Sequence, residues 1–151
     1  MTREEIKTYV SGLFPHCVIE EKSDFTLLRI EKNELFIIAE QLKNDKNTRF
    51  DFLFCQTAVD KLTYFEVIYY LKSSVFHHSI ILKVILEDRE KPEIDSVVSL
   101  WKAAELYECE IYDLFGIVFN GHPTLRRIFL GNDWHGFPLR KDYNEINEMP
   151  S

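Results

Sequence analysis

Hydrophobic positions along this chain follow a helical period first, a strand-like period next, and no period at all after Gly116. Ile6, Val10, Leu13 and Phe14 recur at helical spacing behind Thr2, with Glu5 three places on as in a capping box. Gly12 and Pro15 are expected to end that helix. Residues 17–21 and 25–30 are rich in β formers, and the polar turn Lys22-Ser23-Asp24 between them predicts a hairpin. Leu35, Ile38, Ala39 and Leu42 predict a second, short amphipathic helix, stopped by Asn44, Asp45, Asn47 and Thr48. Three long strand-like runs follow: 50–59, 64–71 and 79–86. Their linkers are short, which favours an antiparallel meander over parallel crossovers. Lys91-Pro92-Glu93 is a break, after which Ser96 is placed to cap a third helix running to about Phe115. The order helix, two strands, helix, three strands, helix predicts an α+β fold. Its mostly antiparallel or mixed sheet is covered by helices and carries an extended C-terminal tail.

From Gly116 onward both periods fail. Gly116 fits the position just past a helix end. Asn120-Gly121 and Gly131-Asn132 are turn signals, and Pro123, Pro138 and Pro150 bias their predecessors toward extended backbone. The chain therefore divides into a core, 1–116, and an extended interaction tail, 117–151. Ile128, Phe129, Leu130, Trp134, Phe137, Leu139 and Tyr143 make the tail too apolar for disorder. Two readings stay open: an interface for a partner, or a segment folded back over its own sheet.

Composition narrows the picture. With 151 residues and 18.0 kDa, there is room for one domain. Twelve Phe, seven Tyr and two Trp exclude disorder along the whole length. A net charge of −7 makes nucleic acid a poor partner. The excess is uneven: residues 120–143 hold Arg126, Arg127, Arg140 and Lys141 against Asp133 and Asp142. Three widely spaced cysteines, Cys17, Cys55 and Cys109, give no disulfide framework and too few thiolates for an iron–sulfur cluster. The charged start is no secretory signal, and no apolar stretch reaches membrane-span length, so membrane contact is expected only through partners.

No self-contained active site emerges. Val97, Leu100, Trp101, Ala104, Ile111, Leu114 and Phe115 share one face of the third helix, and Glu108 falls within that stripe. A carboxylate there needs a cation or a set of donors. Arg126 and Arg127 are candidate partners for a buried Glu–Arg lock; the alternative is a Glu108 at the edge of the stripe, reaching water. His122, Asp133 and His135 are a candidate metal set, read in preference as hydrogen-bonding residues. His77-His78 reads as a strand-connecting loop. Cys109, flanked by Glu108 and Glu110, is a poor nucleophile, while Cys17 and Cys55 read as core. Arg126-Arg127 and Arg140-Lys141 lack the Gly-rich loop of a phosphate site.

The run Glu108-Cys109-Glu110-Ile111-Tyr112-Asp113-Leu114-Phe115-Gly116-Ile117 leads into Phe119, Gly121-His122-Pro123 and Leu125-Arg126-Arg127-Ile128. Asp133-Trp134, Gly136 and Pro138-Leu139-Arg140-Lys141-Asp142-Tyr143 follow. This block closely resembles the signature of the thirty-kilodalton subunit of respiratory complex I, the C subunit of the bacterial NADH:quinone oxidoreductase. It departs from the family pattern at Cys109, where an Arg is usual, and at Phe137, where a His is usual. The resemblance implies a non-catalytic subunit without a cofactor of its own, FMN and the iron–sulfur clusters lying in partner subunits. It implies packing against the forty-nine-kilodalton-type subunit near the terminal-cluster subunit, on the cytoplasmic side of the plasma membrane. It makes Glu108, Glu110, Asp113, Gly121, His122, Pro123, Arg126, Arg127, Asp133, Trp134, Pro138, Arg140, Lys141 and Asp142 the candidate interface or structural-motif residues. Arg126, Arg127, Trp134, Arg140, Lys141 and Asp142 are expected to dock through apolar anchors and paired charges. The alternatives are the equivalent subunit of a membrane-bound energy-converting hydrogenase and, in a different class, a small metal-dependent hydrolase using His122, Asp133 and His135.

Overall fold

The computed structural model describes residues 1–130 and 135–142. The elements in chain order are helix α1 (Arg3–Leu13), strands β1 (Val18–Lys22) and β2 (Phe25–Ile30), and helix α2 (Leu35–Asn44) behind a 3-10 turn. Strands β3 (Phe52–Asp60), β4 (Phe65–Lys72), β5 (Ser79–Leu86) and β6 (Glu93–Asp95), helix α3 (Ala104–Phe115) and strand β7 (Val118–Asn120) complete them. Five strands form one sheet in the order β1-β2-β5-β4-β3. The hairpin β1–β2 and the meander β3–β4–β5 are antiparallel, as their short turns require. The two blocks join through a parallel β2–β5 pair, so the sheet is mixed. The chain between β2 and β5 is long enough to make that crossover.

The α+β expectation holds, with two corrections to boundaries. Gly12 lies inside α1, which runs to Leu13 and is capped at Phe14; the break comes with Pro15. The third helix starts at Ala104, not at Ser96. Ser96 Oγ instead accepts the Val98 N–H, closing a local turn. Backbone bonds from Leu100 and Trp101 to the Val97 carbonyl follow it. These turns swing the Trp101 indole inward, where Nε1–H donates to the Phe50 carbonyl at 3.0 Å. That anchors α3 against the β3 edge of the sheet.

The core lies between the helices and one face of the sheet, around Ile6, Leu28, Leu35, Leu42, Phe65, Tyr69 and Leu82. Ile117 and Phe119, just beyond α3, are buried in it, and β7 pairs parallel with β6. The chain after the third helix therefore begins its path inside the core. Cys109 is buried, whereas Cys17 and Cys55 are half-buried at its margin. Among the described residues no helix is long and apolar enough to cross a membrane.

Candidate functional site

Asp113, Arg127, Phe137 and Arg140 of the signature meet at the C-terminal end of α3. An α-helix leaves its last four carbonyls without intrahelical partners. Here all four are taken. Gly116 N–H donates to the Tyr112 carbonyl at 2.8 Å. Arg127 Nη2 donates to that of Asp113 at 3.1 Å. Leu139 N–H donates to that of Leu114 at 3.0 Å. Arg140 Nε donates to that of Phe115 at 2.6 Å. α3 has no basic residue in its own last turn. The two arginines supply the positive charge that a helix C-terminus favours, and they come from the following segment.

Asp113 anchors that segment from the other side. Its carboxylate is fully buried. Oδ2 accepts three consecutive backbone N–H groups, from Ile128, Phe129 and Leu130, at 3.1, 2.7 and 3.1 Å. Oδ1 stands 3.0 Å from Arg127 Nε, an ion pair whose N–H is not aligned as a hydrogen bond. Arg127 Nη2 also donates to the Gly136 carbonyl. One buried ion pair thus ties the helix, residues 127–130 and residue 136 together.

The rest of the buckle is aromatic. Phe137 packs on Tyr112, with Arg127 and Arg140 over its ring at 4.8 and 5.3 Å. Arg140 also lies 5.2 Å from the Phe65 ring, and Arg89 lies 4.5 Å from it. Gly116 has φ +77°, and a Cβ there would meet the Phe137 ring at 2.6 Å. Glycine is required twice, by the left-handed turn and by that ring. At the end of β3, Asp60 takes Arg89 Nη1 and Nη2 at 2.5 and 3.0 Å and the Lys141 N–H at 2.7 Å. The Arg89 bonds, aided by the Lys141 and Leu62 amides, hold the Asp60 carboxyl well below the usual carboxylate range. Arg89 reaches Asp142 as well, at 3.3 Å.

Glu108 departs from both sequence readings. It is fully buried, so it does not reach water, and among the described residues no arginine meets it. Ser96 Oγ donates to Oε1 at 2.6 Å; Gln56 Nε2 and the Val97 N–H donate to Oε2 at 3.1 Å each. The lock forms five residues later, on Asp113. The reason is reach: residues 127–130 return to the end of α3, whereas Glu108 faces β3 and the Ser96 turn.

The remaining signature residues are more scattered. His122 Nδ1 accepts the Thr124 N–H at 3.0 Å, which places the ring proton on Nε2, 2.9 Å from the Glu105 carbonyl. Cys109 Sγ donates to the Thr124 carbonyl at 3.6 Å. Arg126 is exposed and bonds the Thr124 carbonyl; Glu110, Gly121 and Pro123 are exposed. Pro138 is half-buried, whereas Lys141 and Asp142 are exposed. Both His122 nitrogens are engaged by the chain, His135 is exposed, and among the described residues no metal-ligating trio converges. Asp133 and Trp134 lie outside the described residues. His77 is at the β4–β5 turn, while His78 is buried with Nε2 2.6 Å from the Thr48 carbonyl. Sequence reasoning missed Gln56, Asp60, Phe65 and Arg89. They carry no local motif and meet the site only through the sheet.

Residues 28–148 match the family described as "Respiratory-chain NADH dehydrogenase, 30 Kd subunit". The NADH-quinone oxidoreductase C subunit of Moorella thermoacetica is 39% identical over 133 residues, covering 87% of this chain and 88% of that protein. The C subunit of Roseiflexus castenholzii is 41% identical over 118 residues, covering 76% and 67%. The NADH-quinone oxidoreductase C/D subunit of Bacteroides thetaiotaomicron is 43% identical over 121 residues, 73% of this chain but only 22% of its own length. The chain thus spans about a fifth of the C/D relatives that it matches. In fold it resembles a chain from the structure of the membrane-bound sulfane sulfur reductase, an archaeal respiratory membrane complex. There the TM-score is 0.80 at 23% identity, covering 95% of this chain and 86% of the other. With the family model matching residues 28–148 and C subunits at about 40% identity, the chain belongs to the thirty-kilodalton subunit family of respiratory complex I, the family of NADH-quinone oxidoreductase C subunits.

Proposed function

We propose that this chain is a non-catalytic peripheral-arm subunit of an NADH:quinone oxidoreductase. It helps to build the quinone-reducing module, to which electrons pass from NADH through iron–sulfur clusters. It carries no cofactor itself; FMN and the clusters belong to partner subunits. Its neighbours are the forty-nine-kilodalton-type subunit and the subunit bearing the terminal cluster. It meets the membrane only through them, on the cytoplasmic side.

One observation carries this reading. Asp113, Arg127 and Arg140 direct their hydrogen bonds inward, onto the helix end and the segment's own backbone. That holds residues 127–130 and 136–141 against α3 and the end of β3, while Phe129 and Leu139 remain 66% and 52% exposed. A pre-shaped segment with exposed apolar anchors suits a protein interface, because its ordering cost is met before association. The test is native affinity purification from detergent-solubilised membranes with mass spectrometry. Recovery with the forty-nine-kilodalton-type and NADH-oxidising subunits is the expected result; recovery alone, after controls for detergent loss, overturns it. Arg140→Ala is expected to reduce assembly before turnover of what assembles. Normal assembly with lost turnover would contradict a structural role.

A second reading is the equivalent subunit of a membrane-bound energy-converting hydrogenase; the sulfane sulfur reductase neighbour shares the fold and adds nothing on the role. The NADH-quinone oxidoreductase reading is preferred because relatives of that name reach about 40% identity, against 23% for the fold neighbour. Co-purification of a nickel–iron hydrogenase large subunit would select the second. Metal-dependent hydrolysis has the weakest support, since both ring nitrogens of His122 are already bonded.

A further inference from the structure

Glu108 is a fully buried carboxylate, and among the described residues no cation pairs with it. Beside it lie two polar atoms that complete no hydrogen bond, Gln56 Oε1 and the Tyr69 hydroxyl. Gln56 and Tyr69 are direct partners in the β3–β4 ladder, so their side chains stand next to each other on the core face. One orphan is an acceptor and the other a donor, and an unpaired buried donor or acceptor is costly. A primary amide between a carboxyl and a phenol resolves this in two ways. With Glu108 ionised, the Gln56 NH2 donates to Oε2, as observed, and Oε1 accepts the Tyr69 hydroxyl after a small adjustment. With Glu108 protonated, the amide turned over presents Oε1 to the Glu108 hydroxyl and its NH2 to the Tyr69 oxygen. Both protonation states give the Glu108 carboxyl and Gln56 Oε1 a partner; Tyr69 donates to Gln56 in the ionised state and only accepts from it in the protonated one.

We propose that Glu108, Gln56 and Tyr69 form a buried proton-binding site in which the Gln56 amide turns over as Glu108 gains or loses a proton. The proton comes from solvent and resides on Glu108 Oε2. The other titratable groups acting on the cluster are His122, from the segment after β7, and Asp95, from β6. Burial pushes Glu108 up from the ordinary carboxyl range, against the opposing Ser96, Val97 and Gln56 bonds. It pushes the Tyr69 phenol up as well, helped by the Glu108 charge and opposed by the neighbouring Gln56 amide, so the phenol stays protonated while Glu108 titrates. Because Glu108 also holds Ser96 and Val97, and the Ser96 N–H holds the Asn120 carbonyl at 2.8 Å, the site connects to the β6–β7 pair and the turns leading into α3. This inference rests on the cluster alone, not on the complex the chain joins.

The test is NMR on the full chain, labelled at glutamine side-chain nitrogens and glutamate carboxyl carbons. The chain has two glutamines, Gln41 and Gln56, and the exposed Gln41 serves as internal reference. One glutamate carboxyl is expected to titrate above the others. The Gln56 NH2 signals should move with the same midpoint while those of Gln41 stay flat, and Glu108→Gln should abolish both changes. Tyr69→Phe, which removes only a hydroxyl, should shift the Glu108 midpoint and keeps the test open if Glu108→Gln fails to fold. The proposal fails if Gln56 is unmoved through the Glu108 titration, if Glu108 titrates with the exposed carboxyls, or if Tyr69→Phe leaves the midpoint unchanged.

Discussion

Two buried carboxylates five residues apart on α3 do different work. Asp113 is met by an arginine and three amides, Glu108 by neutral donors alone. Removing one partner of a buried pair strands the other, at a cost of roughly 3–5 kcal/mol. Asp113→Ala is therefore expected to lower unfolding free energy by about that amount. Urea denaturation measures it, and an effect under about 1 kcal/mol would mean that solvent already reaches the pair. At Gly116 an L-residue costs about 1–2 kcal/mol in the left-handed region alone, and its Cβ collides with the Phe137 ring as well. Gly116→Ala should destabilise by more than that backbone share, and adding Phe137→Ala should recover the steric part. Equal stability of the single and double variants would locate the whole cost in the backbone.

Among the elements, α3 depends on chain that follows it. Its last carbonyls are capped from residues 127, 139 and 140, not from within. Arg140→Ala is thus expected to raise amide exchange at Gly116 and Leu139 together, while the strands keep their protection. Exchange confined to the segment would mean that α3 stands without it. The Asp60–Arg89 clamp adds a pH dependence. The folded pKa of Asp60 lies below its ordinary 3.8, so the clamp's contribution is present above that value and lost as pH falls through the folded pKa. His78 acts at higher pH. Burial depresses its pKa from 6.5, although its bond to the Thr48 carbonyl opposes the shift. The unfolded chain takes up that proton first, so stability is full above about 6.5 and declines as pH falls below it. The Tm of the wild type should fall between pH 7 and pH 5, and that of His78→Gln should fall less. Parallel curves would assign the decline elsewhere.

Taken as a molecule, the chain is a mixed sheet with helices over one face and a signature segment buckled to its edge. Local pattern was enough for most elements: period, turn residues and short linkers predicted the hairpin, the meander and the helices, but not the short β6 and β7, whose three residues each carry no readable period. It misplaced the start of α3, because a serine before an apolar run suits a helix cap and a local turn equally well. The family signature was readable because its residues are contiguous in sequence, and so was the need of Glu108 for donors, because one carboxylate in an apolar stripe breaks a local rule. The choice of partners was not. Gln56, Asp60, Phe65 and Arg89 reach the site only after β3, β4 and the chain beyond β5 are brought together, and nothing in their own neighbourhoods marks them. Sequence alone thus determined the fold class and the need of Glu108 for donors, which follow from local propensity and spacing, while the family, and Asp113 with it, came from the resemblance of the signature block. Only the tertiary structure decided that the arginine lock closes on Asp113 and that Glu108 faces a glutamine and a tyrosine. Hydrogen bonding between distant residues depends on distances that no one-dimensional pattern encodes.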